Sequence, residues 1–507
     1  MRLLLKLVAT LGFILSSQNP LQAAIFNITH FGAVGDGKTL NTAAIQKAIN
    51  AATASHGGIV RIPPGSFLSG SIHLKNNVTL ELDAGAILLG SPHHTHYQKL
   101  NFHALILANG QNNIGIRGKG TIDGQGVRLV ADTMRLHKEG KLPDANEGQR
   151  PSLINFRKCS NITIRDITLL ESACWVQLYR ECSRLLIENI KVRTCAAITN
   201  DGLDIDSCSD VIVRGCDIDS EDDAICLKSG PLSCERILIE NCRIRSSCNA
   251  LKFGTASSKG FKNIICRNLE IYDTYFSGIA LEIVDGGVME NIRISKVRMT
   301  TTNNPIFIRL GHRNMHGKVG TIKDVIISDV TAEIPNRKKS EMNKFPSYWR
   351  HLCTTLITGS ITGLPGHPVR DITLRNVHIT YGGIGDAPQR DHILLKNMNQ
   401  VPECAQNYPE SKMFGVLPAW GLYCRHADGL TFENVTLRVA GRDYRAGAIF
   451  DDVKNLKLDQ FNVLHAGKEP VIVFNDVQKA LIRESRAPKN TTKFLDIRGK
   501  TRDVVGP

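Results

Sequence analysis

Aromatic residues are scarce, at 6% of 507 residues. Beyond the first two dozen positions no long apolar run occurs. The second lack leaves nothing that spans a bilayer as a helix, which takes about 20 apolar residues. Nucleic-acid motifs are missing too. The excess of 62 Lys and Arg over 48 Asp and Glu, a net charge of +14, fits a plain basic surface, an anionic lipid or an acidic polysaccharide alike, and charge alone does not choose among them. Apolar residues at helical spacing are absent from the central chain, which argues against helical repeats and bundles. Glycine, by contrast, is plentiful at 43 residues, as suits many short strands and turns.

Residues 1–24 read as a secretory signal: Arg2 and Lys6 are basic, Leu7 to Leu15 is apolar, and Ala23 offers a small residue for cleavage. The run is too short to span a bilayer. The expectation is an exported monomer, periplasmic or extracellular, with residues 25–507 as one domain. Its first part, residues 25–100, holds a cap and the first coils. There Thr42 is placed to cap a helix from Ala43 to Ala51, with Ala44, Ile45, Ala48 and Ile49 on one face. Such a helix covers the open end of a strand stack and blunts its exposed edge.

From Cys159 a repeat is explicit. CSNITIRDITL at Cys159 is followed by CSRLLIENIKV at Cys182, CSDVIVRGCDI at Cys208 and CERILIENCRI at Cys234. Equivalents begin at Phe261, Met289, Ile322, Val369, Ala427 and Val453. Apolar residues fall at offsets 0, 3, 5, 8 and 10. The pairs 3/5 and 8/10 each have the period of two of a strand, and the shift between them is a corner. Short strands coiled on one another make an all-β fold: a single-stranded, right-handed parallel β-helix, or solenoid, with a short N-terminal capping helix. Two intervals exceed one coil, 332–368 and 381–426, and hold Tyr348, Trp349, Tyr408 and Trp420. Loops of this length on a rigid scaffold are expected to wall a binding cleft.

Fourteen cysteines in an exported chain suggest disulfides. Yet Cys182, Cys208 and Cys234 share one repeat position, and Cys216 and Cys242 another, where other repeats carry apolar residues. These read as buried stacked thiols, although adjacent coils also permit a bridge. Cys404 and Cys424, flanking insert sequence, are the best disulfide candidates.

The stretch Asn200–Gly230 concentrates acids: Asp201, Asp204, Asp206, Asp222 and Asp223. Asp201 and Asp222 are 21 residues apart, about one coil of roughly 20–30 residues. Crowded carboxylates repel, which raises the pKa of at least one. A protonated acid beside an ionised one is what acid/base hydrolysis of a glycosidic bond requires. A solvated acidic edge or a calcium site is the plainer reading. Aligning the strands at Asp201, Asp223, Asn249, Ser277 and Asn304 sets outward columns. One runs Asp204, Cys226, Lys252, Ala280, Phe307, and the next Asp206, Lys228, Gly254, Glu282, Arg309. Asn200, Asp204, Lys228, Asn249, Lys252, Glu282 and Arg309 are the candidate substrate-binding residues of that face. An ion pair between Glu282 and Arg309 is the structural alternative.

These motifs resemble glycoside hydrolase family 28, the polygalacturonases and their relatives, over most of the mature chain, and the N-terminal opening resembles that of pectin-acting β-helices. The family's Asn-Thr-Asp, Gly-Asp-Asp, Gly-His-Gly and Arg-Ile-Lys motifs match here at Asp201 and at Asp222-Asp223. The resemblance implies an inverting hydrolase with Asp222 as general acid and Asp201 and Asp223 activating water, without metal or cofactor. Inverting carboxyls stand roughly 6.5–9.5 Å apart. The chain departs from the pattern at Thr199-Asn200, at Asn249 for His, and at Ala280 and Glu282 for the Arg and Lys. Losing two cations beside the cleaved bond shifts the expected substrate from plain polygalacturonate to an acidic plant-type polysaccharide or oligosaccharide of mixed composition, such as a rhamnogalacturonan. Two other readings fit the scaffold. One is a calcium-dependent lyase with Lys228, Lys252 or Arg309 as base. The other is a non-catalytic glycan-binding β-helix.

Overall fold

The computed structural model describes residues 23–314, 317–336, 356–388, 390, 392–465 and 468–506. Most of the expected signal peptide, together with Tyr348 and Trp349, lies outside the described residues. The described chain forms two compact units. One runs to Asp217 and takes in Glu235–Leu238; the other holds Ile218–Cys234 and everything from Ile239 onward.

The first unit is a stack of short parallel strands whose inward residues run in unbroken register. Phe26, Val60, Leu80, Ile116, Ile164, Ile187 and Val213 pair in succession. The second unit repeats this with Cys266, Ile294, Ile327, Leu374, Phe432, Leu458 and Ile482. Each such column buries its apolar faces against the coil before and the coil after, so no coil is stable alone. The class is the parallel β-helix that the repeat predicts.

The corners explain the polar residues within the repeat. In each of the ten repeats, the residues at offsets 2 and 7 have positive φ, 51–60° wherever they are not glycine. Asn and Asp predominate because their short polar side chains tolerate the left-handed region. Stacked corners also bond to one another: Asn291 donates to Asn263 and Asn268 to Asn241, both at 2.6 Å, and Asn434 donates to Asn376 at 3.0 Å.

The N-terminal helix spans Thr42–Ala54 and buries Ile45, Ala48, Ile49 and Ala52. Thr42 is its first residue rather than its cap, and its hydroxyl accepts the Gly70 N–H at 2.7 Å. A second helix, Gly126–Lys138, was not expected; it buries Leu129, Thr133 and Leu136. No helix among the described residues is long and apolar enough to cross a membrane.

Cys404 and Cys424 are both free thiols. The expected Cys404–Cys424 bridge is not formed. Cys424 sits in the inward column between Ile361 and Phe450, whereas Cys404 packs against an outer apolar cluster that includes Tyr423. Successive strand residues point to opposite faces, so the two thiols cannot meet.

Candidate active site

The first outward column holds its expected register in the second unit, and the second is kept at Glu282 and Arg309, whereas the pairing shifts after Leu227–Phe253 to Ser229–Ser257, where Lys228 was expected beside Gly254. Cys226 pairs with Lys252, Lys252 with Ala280, Ala280 with Phe307, and Glu282 with Arg309. Further coils continue the first column through Ser360, Tyr423, Ile449 and Val473. This face is covered, not open. Leu395, Met398, Val401, Phe414 and Leu417 of the 381–426 insert pack on Ala280, Phe307, Tyr423, Ile449 and Val473. Lys252 is the last polar residue of the column before that cover begins.

Asp223, 5% exposed, is the hub. Its Oδ1 accepts from Asn249 Nδ2 at 2.9 Å, and its Oδ2 lies 3.2 Å from Lys252 Nζ. Lys252 is 1% exposed, and its Nζ also lies 3.4 Å from Glu410 Oε1. Asn249 Nδ2 reaches Glu410 Oε2 at 3.3 Å, and Asn249 Oδ1 accepts the Ser277 N–H at 3.0 Å. Burial opposes charge on Asp223, but the Lys252 and Lys228 ammoniums outweigh it and hold the carboxyl below the usual carboxylate range. Burial likewise opposes charge on Lys252, and Asp223 and Glu410 reverse it, so the ammonium stays protonated. Burial pushes Glu410 and Glu282 upward, Glu282 strongly.

Asp222 precedes the hub and is half-buried. Its Oδ1 accepts the Asp223 N–H at 2.9 Å, while the hydroxyls of Ser220 and Ser246 bond its carbonyl at 2.8 and 2.7 Å. These contacts fix the backbone and leave a carboxyl at the edge of a buried charge cluster. Side-chain donor atoms of Asp222, Asp223 and Cys248 lie within 4.8 Å of one another. The set suits a cation poorly: burial holds the Cys248 thiol in its protonated form, and Lys252 already neutralises Asp223.

The remaining predicted residues are placed as follows. In the first unit, Asn200 is fully buried. It accepts the Ala197 N–H at 2.7 Å and donates to the carbonyls of Ser172 and Cys174 at 2.8 Å each, so it pins the segment before Asp201. Asp201 is 4% exposed and its carbonyl accepts the Val176 N–H at 2.8 Å. Asp204 is buried on the strand Leu203–Asp206, opposite Leu178. In the second unit, Lys228 is half-buried on the strand Ile225–Ser229. Glu282 is fully buried, and neither of its carboxyl oxygens has a hydrogen-bond partner among the described residues. Arg309, also buried, donates to Gly363 O at 3.2 Å and to the carbonyl of Glu403, with its guanidinium carbon 5.3 Å from the centre of the Phe414 ring. Its contacts hold the insert. Trp420 is a core residue, edge-on to Tyr381 and His465, rather than a cleft wall. Tyr408 is exposed, its ring centre 5.3 Å from Lys252 Nζ.

Sequence reasoning missed Glu410. It lies 158 residues from Lys252 in an insert without repeat phase, and nothing local marks it.

The fold of stacked parallel coils is shared with solved structures. The hyperthermoactive exopolygalacturonase of Thermotoga maritima aligns with a TM-score of 0.58 at 20% identity, over 82% of this chain and 92% of that one. The polygalacturonase of Erwinia carotovora aligns with a TM-score of 0.54 at 22%, over 72% and 95%. These likenesses show the fold. The family profile of Glycosyl hydrolases family 28 matches residues 56–401, and the chain belongs to that family. Among curated relatives, a "Probable polygalacturonase" of Vitis vinifera is 29% identical over 332 residues, 60% of this chain and 60% of the relative. An exo-poly-alpha-D-galacturonosidase of Dickeya chrysanthemi is 32% identical over 214 residues, 32% of this chain and 35% of the relative. The matched stretch thus spans less than two thirds of either relative.

Proposed function

We propose that this protein is an exported glycoside hydrolase that cleaves pectic, galacturonate-containing polysaccharide or oligosaccharide by an inverting acid/base mechanism. The observation that carries the reading is the half-buried Asp222 next to Asp223, whose charge is fixed by buried Lys252. A fixed negative charge next door is the setting in which a second carboxyl keeps its proton. Asp222 then protonates the departing glycosidic oxygen. Asp223, held ionised, accepts a proton from the attacking water. By resemblance, Asp201 is the family's other water-activating acid. Family membership supports the chemistry, and the names of the relatives support a pectic substrate. The loss of the family's Arg and Lys at Ala280 and Glu282 favours a mixed chain of rhamnogalacturonan type over plain polygalacturonate.

Product analysis on pectic fractions tests this. New reducing ends of inverted anomeric configuration, without a double bond, are expected. Unsaturated uronate products formed only with calcium indicate the lyase instead, and binding without products indicates the non-catalytic reading. Export is tested by the N-terminus of the mature protein, expected near Ala24.

A further inference from the structure

The cation that remains on this face is already occupied. Lys252 Nζ has carboxylate oxygens of Asp223 at 3.2 Å and of Glu410 at 3.4 Å, and the Tyr408 ring lies 5.3 Å away. At 1% exposure, Lys252 meets no solvent through which a substrate carboxylate might approach. Glu410 stands between: its side chain keeps 14% of its surface exposed, and its second oxygen lies 3.3 Å from Asn249 Nδ2. A uronate reaching for Lys252 must therefore displace Glu410 from both Lys252 and Asn249.

Charge counting gives the same result. Asp223 and Glu410 already face the one ammonium, at 3.2 and 3.4 Å, and burial disfavours charge on Glu282, with Lys228 and Arg313 contributing from further off. A further carboxylate in that low-dielectric cluster meets the like charge of Asp223, which costs appreciable binding energy. A sugar hydroxyl meets none, and the exposed edge of Glu410 presents an oxygen that can bond it.

Glu410 is also held in place. Its neighbour Pro409 is buried. A few residues upstream, the Glu403 carbonyl is bound by Arg309, and the Glu403 carboxylate lies 2.7 Å from Arg425. Downstream, Phe414 is packed in the apolar cluster over Phe307. A carboxyl anchored on both sides acts as part of the wall rather than as a loop tip that swings away.

We infer that Glu410 is a specificity-determining residue: its carboxyl fills the place beside Lys252 and Asn249 that a substrate carboxylate needs, so the sugar bound against it is a neutral one. This rests on the hydrolase reading above and names the substrate class at one subsite, a neutral sugar adjoining a uronate in the chain.

The test compares full-length wild type, Glu410→Gln and Glu410→Ala on oligogalacturonate and on a rhamnogalacturonan oligosaccharide. Wild type is expected to prefer the mixed chain. Both variants should raise kcat/KM on oligogalacturonate relative to the mixed chain at least tenfold, and high salt should erase that gain. Variants that melt as wild type does but leave the ratio unchanged overturn the inference, as does a wild type that works best on oligogalacturonate. Calorimetric binding of a galacturonate trisaccharide separates this from the hydrolase reading, because it needs no turnover. Tighter binding to Glu410→Gln supports the inference even if no pectic glycan is cleaved, and equal binding overturns it. Should both variants fold poorly, Glu410→Asp, which keeps the charge but withdraws it, is expected to bind the trisaccharide more tightly than wild type does. An affinity equal to wild type counts against the inference.

Discussion

Lys252 Nζ lies 3.2 Å from Asp223 Oδ2, with both side chains almost wholly removed from solvent. Removing one partner of such a pair strands the other charge in the interior, at a cost of about 3–5 kcal/mol. Lys252→Met is therefore expected to lower the melting temperature at neutral pH and to abolish most activity. Asp223 is held below its ordinary value of 3.8. The pair's stabilisation is thus present above that pH and is lost as pH falls through the lower folded-state value. The stability gap between wild type and variant should narrow under strongly acidic conditions. Chemical unfolding across pH measures it, and a variant as stable as wild type at neutral pH sinks the assignment.

Asp222→Asn tests the proton donor. The amide oxygen can still accept the Asp223 N–H that Oδ1 accepts at 2.9 Å, so folding should be unaffected. Loss of general acid catalysis should lower kcat about a hundred- to ten-thousand-fold on substrates with a poor leaving group. Turnover at the wild-type rate, with an unchanged melting temperature, rules Asp222 out.

How much of this was legible beforehand follows from where the repeat reaches. The period of two set the column Lys252, Ala280, Phe307, and the structure keeps it. The Asn and Asp corners were visible as breaks between apolar pairs. That the column is covered was less visible, although the outward Ala280 and Phe307 were the clue: apolar residues facing out need a partner. The partner is an insert with no repeat phase, so neither its packing nor Glu410 has a sequence signature. The helix Gly126–Lys138 did carry one, because Leu129, Thr133 and Leu136 fall on a single helical face. The Cys404–Cys424 pairing failed because it weighed position along the chain and not the strand alternation that turns Cys424 inward.

Glu282→Gln addresses a buried carboxyl with neither oxygen bonded. Burial raises its pKa well above the ordinary 4.5. Below that pH the group is protonated in both folded and unfolded states and contributes no pH dependence. As pH climbs above it, the unfolded state ionises while the folded state resists, so the wild type loses stability. The glutamine variant keeps the shape and cannot ionise. It should match wild type near pH 4 and exceed it increasingly toward neutrality. A difference that stays flat with pH shows that Glu282 is not under this strain.

Arg309 decides whether the second outward column binds substrate or holds the insert. Burial lowers its pKa to about 10, which still leaves it charged at neutral pH. Its donors go to Gly363 O, at 3.2 Å, and to the carbonyl of Glu403, and Phe414 packs beside it. Arg309→Met leaves those two carbonyls without a donor inside the protein, each costing about 1–3 kcal/mol. The expected result is a lower melting temperature and faster proteolytic cleavage within 381–426. Activity on the mixed chain should decline as the insert loosens, with no loss of salt-sensitive binding of acidic oligosaccharides. Arg309→Lys keeps the charge but lacks the guanidinium fork, so it should recover only part of the protease resistance. A direct grip on a substrate carboxylate predicts the reverse. Arg309→Met would then resist protease as wild type does and lose salt-sensitive binding, and Arg309→Lys would restore that binding. That pattern would return Arg309 to the substrate-binding face.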